Sequence, residues 1–359
     1  MLKSIVLKIK KVLYYYVDLF EMRGKNSLKS VEEVLNKESS IYDSSPVKFG
    51  IVKEAWGLHH YYIQACQELN ISYQVIDLFD PNWINNLKSQ KIDALICRPS
   101  VQYDPWKAMF DNRIFFIEKY LGIKILPGSL ELWLWESKLR TMEWLEINKL
   151  PSPKTRVFYD KKHLFEYVKN EKFPIVVKSS SGSGASGVKI VSNLNQLNNI
   201  SKKYFNKGLR SYRKHKLDKE HGYLIIQEFQ PDVIEWRIIR IGDYFFGFEK
   251  IKNGEFHSGS QVFGYGMPPI SCLDLVRSVT DKYNFKYVDI DVFVTKENTV
   301  LINEIQPYFG QKDDRELLVI NNESGRLKFE NGNWQFEKGK FCMNNLCNLR
   351  ILEFIKELA

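Results

Sequence analysis

Cysteine is sparse in this chain, and its five copies do not cluster. Cys66, Cys97 and Cys272 stand alone. Cys342 and Cys347 are close, but no histidine or cysteine companion gives them a zinc-ligand spacing. An odd, scattered set suits a reducing, cytoplasmic setting and excludes a disulfide-stapled scaffold. Histidine is equally scarce: the six copies form no ligand cluster, and His59-His60 in GLHHYY reads as a structural pair at a helix start. Long apolar runs are missing too. No stretch reaches the ~18 residues of a spanning helix, so no transmembrane segment is expected. The opening MLKSIVLKIKKVLYYYVDLF is basic and apolar, but Lys8, Lys10 and Lys11 break it, and no small-residue cleavage site follows. It reads as a helix that packs on protein; peripheral contact of residues 1–20 with an anionic membrane is the alternative.

Acidic residues are the minority charge, 43 against 52 basic, giving a net charge of +9. Part of the excess lies in SKKYFNKGLRSYRKHKLDKEHG, residues 201–222, which has little aromatic interleaving and no RNA-binding motif. Nucleic acid is therefore not an expected partner. A solvated loop and a contact for an anionic substrate, a nucleotide or an acidic glycan, are the two readings left.

What is present is alternation. The 359 residues allow two or three domains. After a helical lead-in over 1–45, VKFGIV, SYQVIDL, IDALICRPS and KILPG read as strands, separated by helical HHYYIQACQELN, WINNLKSQ and NRIFFIEKYLG. Strands alternating with helices imply a parallel α/β sheet. No glycine fingerprint follows its first strand, so it is not read as dinucleotide-binding. Ser137 opens a helix stopped by Pro151 and Pro153, and KKHLFEYVKN is another. GYLIIQEF and IEWRIIRIGDYFFGFEKIK read as antiparallel strands, CLDLVRSVTDKYN as a helix, and YVDIDVFVTKENTVLINEIQPY as a hairpin. The tail from Gln311 reads as loop-rich, ending in the helix NLRILEFIKEL.

The loop in VVKSSSGSGASGVKIV carries a G-x-G-x-x-G, Gly182 to Gly187. A strand precedes it, but a second strand follows, which excludes the dinucleotide fingerprint. There is no G-K-[ST] and no kinase-type valine, since Lys189 stands in its place. A plain hairpin tip and a phosphate-holding loop both fit the loop alone. Its neighbours favour the second. Lys178 ends the preceding strand, where an ammonium can reach phosphates held by loop amides. Gln227-Glu228-Phe229 sits at a strand end, where backbone and carboxylate could read an adenine edge. In the last hairpin Asp291 and Glu304 lie on facing strands, with Gln306 on the face of Glu304. Such carboxylates can hold Mg²⁺ together with waters and phosphates. Asp289 and Asp291 inside an apolar strand are expensive unless paired or metal-bound.

This ordered set resembles the ATP-grasp superfamily of carboxylate–amine ligases, over residues 120–310 closely and over 47–120 more loosely. The resemblance implies a parallel α/β pre-grasp domain (46–128) after the lead-in (1–45). A two-subdomain ATP-grasp fold follows, with a lid part at 129–232 and a metal-bearing part at 233–359. It implies that ATP is held by Lys138, Lys178, the lid residues Ser181, Gly182, Ser183, Gly184 and Gly187, the hinge Gln227, Glu228 and Phe229, and Glu235 at the ribose or substrate. On that view the G-x-G-x-x-G spelling is incidental. Arg237 and Lys250 are implied as catalytic cations, with Lys252 the alternative to Lys250, and Asp291, Glu304 and Gln306 as Mg²⁺ ligands. Gln306 departs from the family's asparagine and has a longer arm. The implied reaction joins a carboxylate substrate to an amine acceptor through an acyl-phosphate, with ADP released. The strings EFHSGS and PYFG resemble ATP-grasp proteins of surface-polysaccharide clusters, which suggests a glycan carboxylate. A non-catalytic nucleotide-binding scaffold is the alternative function, and a homodimer is an expected assembly. Arg98, just past a strand end in LICRPS, is a possible carboxylate anchor.

Overall fold

The computed structural model describes residues 19–182, 184, 187–209, 215, 217–254, 257, 262–309 and 315–359. The basic segment before residue 19, Ser183 and part of the 201–222 stretch lie outside them. No helix among the described residues is long and apolar enough to cross a membrane.

The N-terminal part is the expected parallel sheet. β1 (Ser39–Ser40), β2 (Lys48–Val52), β3 (Ser72–Ile76), β4 (Ala94–Ile96) and β5 (Lys124–Leu126) lie in the order β1-β3-β2-β4-β5. Only the short β1 is antiparallel. β2 and β4 are buried almost throughout because helices cover both faces of such a sheet. The helix Asp104–Tyr120 begins eight residues before the expected NRIFF start, with a proline in its first turn.

Two antiparallel sheets follow. The smaller contains β6 (Thr155–Phe158), β7 (Ile175–Lys178), β8 (Val188–Val191) and β9 (Leu224–Glu228), ordered β6-β9-β7-β8. The larger is built on β10 (Ile234–Ile241), β11 (Tyr244–Lys250), β12 (Phe263–Gly264), β13 (Tyr287–Val294), β14 (Val300–Gln306), β15 (Val319–Ile320), β16 (Glu323–Glu330) and β17 (Asn333–Lys338). The tail is thus not loop-rich: β16 and β17 form a hairpin that extends this sheet. Its turn is Asn331-Gly332, both at positive φ, the pairing that favours a tight hairpin.

Apolar burial separates two cores. One joins the parallel sheet, the large antiparallel sheet and the C-terminal helix Cys347–Leu358. The other, holding Leu164, Val177, Leu197 and Ile226, belongs to the small sheet alone. The helix Lys138–Ile147 buries Met142 and Leu145 in the first core. It therefore packs with the body of the molecule, although the sequence reading grouped it with the lid.

Candidate nucleotide site

A cleft of about 220 Å³ runs between the small and large antiparallel sheets. β7 delivers Lys178 to it. All four residues of this strand are buried, so the ammonium has little water around it. Its Nζ donates to Asn303 Oδ1 at 2.9 Å. Burial first, then the neighbouring Lys138 cation, pull its pKa down to about 8. Lys138 opens its helix behind the N-cap Ser137, whose hydroxyl accepts from Arg140 N. Its Nζ donates to Gly182 O at 2.7 Å and stands 3.4 Å from Glu304 Oε1. Burial works against this charge, but Glu304 and Glu136 outweigh it, and the pKa is raised.

The glycine loop is tied down at its root. Glu220 accepts from Ser180 N and Ser181 N, each at 2.8 Å, and from Ser181 Oγ at 3.0 Å. Glu136 accepts from Gly182 N at 3.0 Å. The spelling of the loop is not incidental. Gly182 and Gly184 have positive φ. A Cβ on Gly187 would sit 1.5 Å from Ser179 Oγ, because Ser179 N bonds to Gly187 O at 2.8 Å. Each glycine answers a backbone requirement of this hairpin.

The hinge residues Gln227, Glu228 and Phe229 also line the cleft, and so do Gly184, Gly187 and Glu235. The Gln227 amide is already committed to Thr155 Oγ1 at 3.0 Å, which leaves backbone and the exposed Glu228 for a ligand. Ser181 is buried with its polar atoms on Glu220 rather than turned to the cleft.

The floor is set by strand register. Arg237 is opposite Asp291, Glu235 opposite Lys250, Asp291 opposite Glu304, and Asp289 opposite Gln306. Arg237 grips Asp291 with two bonds of 2.8 and 2.9 Å and lies 3.1 Å from Asp289 Oδ2. Lys250 bonds Glu235 and, at 2.8 Å, Asp291 Oδ2. Arg237 and Lys250 are therefore not lining the cleft as the implied catalytic cations would; they neutralise buried carboxylates. Lys252 lines it instead. Burial opposes ionisation of Asp291, but the Arg237 and Lys250 charges win and hold its pKa well below the usual range. Asp289 is pushed the other way by burial, with Asp291 adding to the effect against Arg237.

Of the implied Mg²⁺ ligands, only Glu304 lines the cleft. Asp291 is fully buried under its two cations, and the Gln306 amide donates to Asp289 Oδ2 at 3.0 Å. No group of three ligating side chains is assembled among the described residues. The chemistry of the set still fits a hard cation. It is all oxygen, and Asp289 Oδ1 is buried without a hydrogen-bond partner among the described residues. Glu304 and the Gln306 carbonyl would hold the ion, and Asp291 would join them on giving up a bond to Arg237 or Lys250.

Two residues of the cleft, Asn303 and His257, were not foreseen. The ladder between β13 and β14 shifts after Asp291: Asp291 faces Glu304 but Val292 faces Ile302. Asn303 is the extra residue of a β-bulge. In a regular strand Asn303 and Glu304 would point to opposite faces; the bulge lets both line the cleft. Asn303 then meets Lys178, and Glu304 meets Lys138. His257, whose Nδ1 is 2.7 Å from Lys250 O, also lines the cleft unforeseen.

A lysine pair beneath a glycine hairpin, facing a carboxylate on a second antiparallel sheet, resembles the ATP-grasp arrangement. Residues 137–222 match the family described as carbamoyl-phosphate synthase L chain, ATP binding domain. Among curated proteins it is similar to the alpha-aminoadipate–LysW ligase LysX of Saccharolobus solfataricus, with 24% identity over 261 residues, 70% of this chain and 88% of that protein. Among solved structures the fold matches N5-carboxyaminoimidazole synthetase from Staphylococcus aureus complexed with ADP, at TM-score 0.53 and 14% identity over 76% of this chain and 74% of that one. It also matches D-alanine–D-alanine ligase from Bacillus anthracis, at TM-score 0.50 and 14% identity over 74% and 88% of the two chains.

Proposed function

We propose that this protein is an ATP-dependent carboxylate–amine ligase that works through an acyl-phosphate and releases ADP. The observation that carries the reading is the meeting of Lys138, Lys178 and Glu304 in one cleft under the glycine hairpin. Phosphoryl transfer needs positioning and charge neutralisation more than a protein nucleophile. Lys138 and Lys178 supply two cations where phosphates would lie, and Lys178, whose pKa burial lowers to about 8, gains from an approaching anion. Mg²⁺ would add charge neutralisation between phosphates and carboxylates. The ligase names of LysX and of D-alanine–D-alanine ligase, and the ADP in the synthetase, support the same reading.

The finer reading, a carboxylate on a surface glycan, rests on the EFHSGS and PYFG strings and the basic character of 201–222. The test uses purified full chain with ATP, Mg²⁺ and hydroxylamine, which captures acyl-phosphates as hydroxamates. The substrates are panels of amino acids, dicarboxylates and uronic acids. ADP and hydroxamate should appear together with at least one acid and vanish in Lys178→Ala. Nucleotide binding with no ADP above the Lys178→Ala background for any acid would favour the scaffold reading instead.

A further inference from the structure

The parallel sheet has a topological switch point that the nucleotide cleft does not use. β2 and β4 are neighbours, while β3 lies on the far side of β2. The connection from β3 to β4 therefore crosses back over β2, and the chain reverses direction between β2 and β4. Ligands in open α/β sheets bind outside the carboxyl ends of strands at such a point. Two loops leave the sheet there, 53–59 after β2 and 97–103 after β4. They are bolted together: Ala55 N donates to Ser100 Oγ at 2.9 Å, and Gln102 Nε2 donates to Glu54 Oε1.

Arg98 sits in the second loop, two residues past β4, and is half-buried. Its guanidinium lies 4.9 Å from the Tyr308 ring centroid. Among the described residues it makes no hydrogen bond and no ion pair. Glu54, the acid that feels its charge, is buried and also accepts from Trp56 N and Leu58 N, each at 2.9 Å. A second guanidinium, Arg350, stands 5.0 Å from the same ring, with Nη1 buried and unpartnered among the described residues. The Gln102 Oε1 in the same loop is also buried without a partner among the described residues. Tyr308 is itself fixed by Cys97 O at 3.1 Å and the Tyr62 hydroxyl at 3.0 Å. Tyr308 follows β14 by two residues, and its neighbour Phe309 carries Arg237 5.1 Å from its ring. The switch point thus adjoins the end of the strand that bears Glu304.

A guanidinium stacked on a fixed ring, with no hydrogen bond spent among the described residues, can take an anion from outside. Its planar fork matches a carboxylate with two parallel bonds. We propose that Arg98 binds a carboxylate of the substrate at this switch point, and that Gln102 Oε1 accepts from an N–H or O–H of the same molecule. Taken with the ligase reading, on which this clause rests, that carboxylate is a second one, separate from the carboxyl activated beside Lys178. The substrate class is then a small polyfunctional acid bearing amine or hydroxyl groups.

The test measures binding of glutarate, L-glutamate and D-glucuronate by calorimetry to the full chain, as wild type, Arg98→Lys and Arg98→Ala. A non-hydrolysable ATP analogue with Mg²⁺ is measured in parallel. At least one acid should bind the wild type, tighter for the hydroxylated or aminated acids than for glutarate. Its dissociation constant should rise tenfold or more in Arg98→Ala and less in Arg98→Lys. The analogue should bind all three proteins equally. Equal acid binding in wild type and Arg98→Ala overturns the proposal. So does the absence of binding by all three acids at about 20 mM, weaker than a millimolar contact worth about −4 kcal/mol. Failure of the analogue to bind wild type would instead sink the ligase reading and leave the acid result to stand or fall alone.

Discussion

Lys178→Met should make the nucleotide-free protein more stable while removing its response to nucleotide. The wild-type ammonium is buried, its hydrogen bond goes to a neutral amide, and its pKa falls from 10.5 to about 8. Each pKa unit is about 1.4 kcal/mol, so holding the charge at neutral pH costs about 3 kcal/mol. Methionine keeps most of the stem but leaves Asn303 Oδ1 without its donor, a loss of about 1 kcal/mol. The expected net gain is about 2 kcal/mol at pH 7, read by urea unfolding. The sign of the pH dependence follows from the depressed value. Below about pH 8 both folded and unfolded lysine are protonated, and the penalty is complete. Between 8 and 10.5 the unfolded chain holds more protons, so wild-type stability rises relative to the mutant and the gap closes. Excess Mg·ADP at about a hundred times its dissociation constant adds roughly 2.7 kcal/mol to the wild type alone, so the two proteins should exchange rank. A Lys178→Met protein less stable than wild type at pH 7, or a gap that does not shrink by pH 10, would refute the burial argument.

Three further outcomes follow from the same geometry. Glu304→Ala should abolish ADP formation and the Mg²⁺-dependent part of nucleotide stabilisation while leaving circular dichroism unchanged. Arg237→Leu should destabilise by about 3–5 kcal/mol in denaturant titration, because Asp291 and Asp289 lose their shared cation in a dry site. Gly187→Ala should cost about 1–3 kcal/mol and lower nucleotide affinity, because its Cβ meets Ser179 Oγ and, at 2.5 Å, Ser179 Cβ; adding Ser179→Gly should recover part of both.

The sequence revealed the order of strands and helices because burial imposes a period of two on a half-buried strand and continuous apolarity on a covered one. VKFGIV and IVVK show the second pattern, and both are buried strands. Lysines at Lys138 and Lys178 were readable because each stands at an element boundary. Other parts were less legible. The β16–β17 hairpin carried a usable Asn-Gly signal at 331–332 that the charged, glycine-bearing surroundings obscured. Asn303 had no local signal, since a bulge depends on how two strands count against each other. Glu220 lies some forty residues from the serines it holds, inside a segment whose net charge reads basic. The pairing of Arg237 and Lys250 with Asp291 was invisible for a related reason: residue type names a cation but not whether its partner is a phosphate or the neighbouring strand.

The extra residue at Asn303 has a consequence for what mutation can do to this hairpin. Side-chain direction along β14 is a two-letter phase, and the bulge inserts one beat. That beat sets Asn303 on the cleft face beside Glu304, which stays paired with Asp291. Loss of one codon between 300 and 303 would leave a smooth, fully paired ladder, keep Glu304 opposite Asp291 and take Asn303, the partner of Lys178, off the cleft face. Such a deletion would be silent to a measure of folding and ruinous to the cleft. The turn at 295–299 carries no such phase, so length changes there should pass. A deletion scan across 295–308 would show a sharp step in tolerance at the start of β14, where a conventional substitution scan would show only scattered sensitive sites.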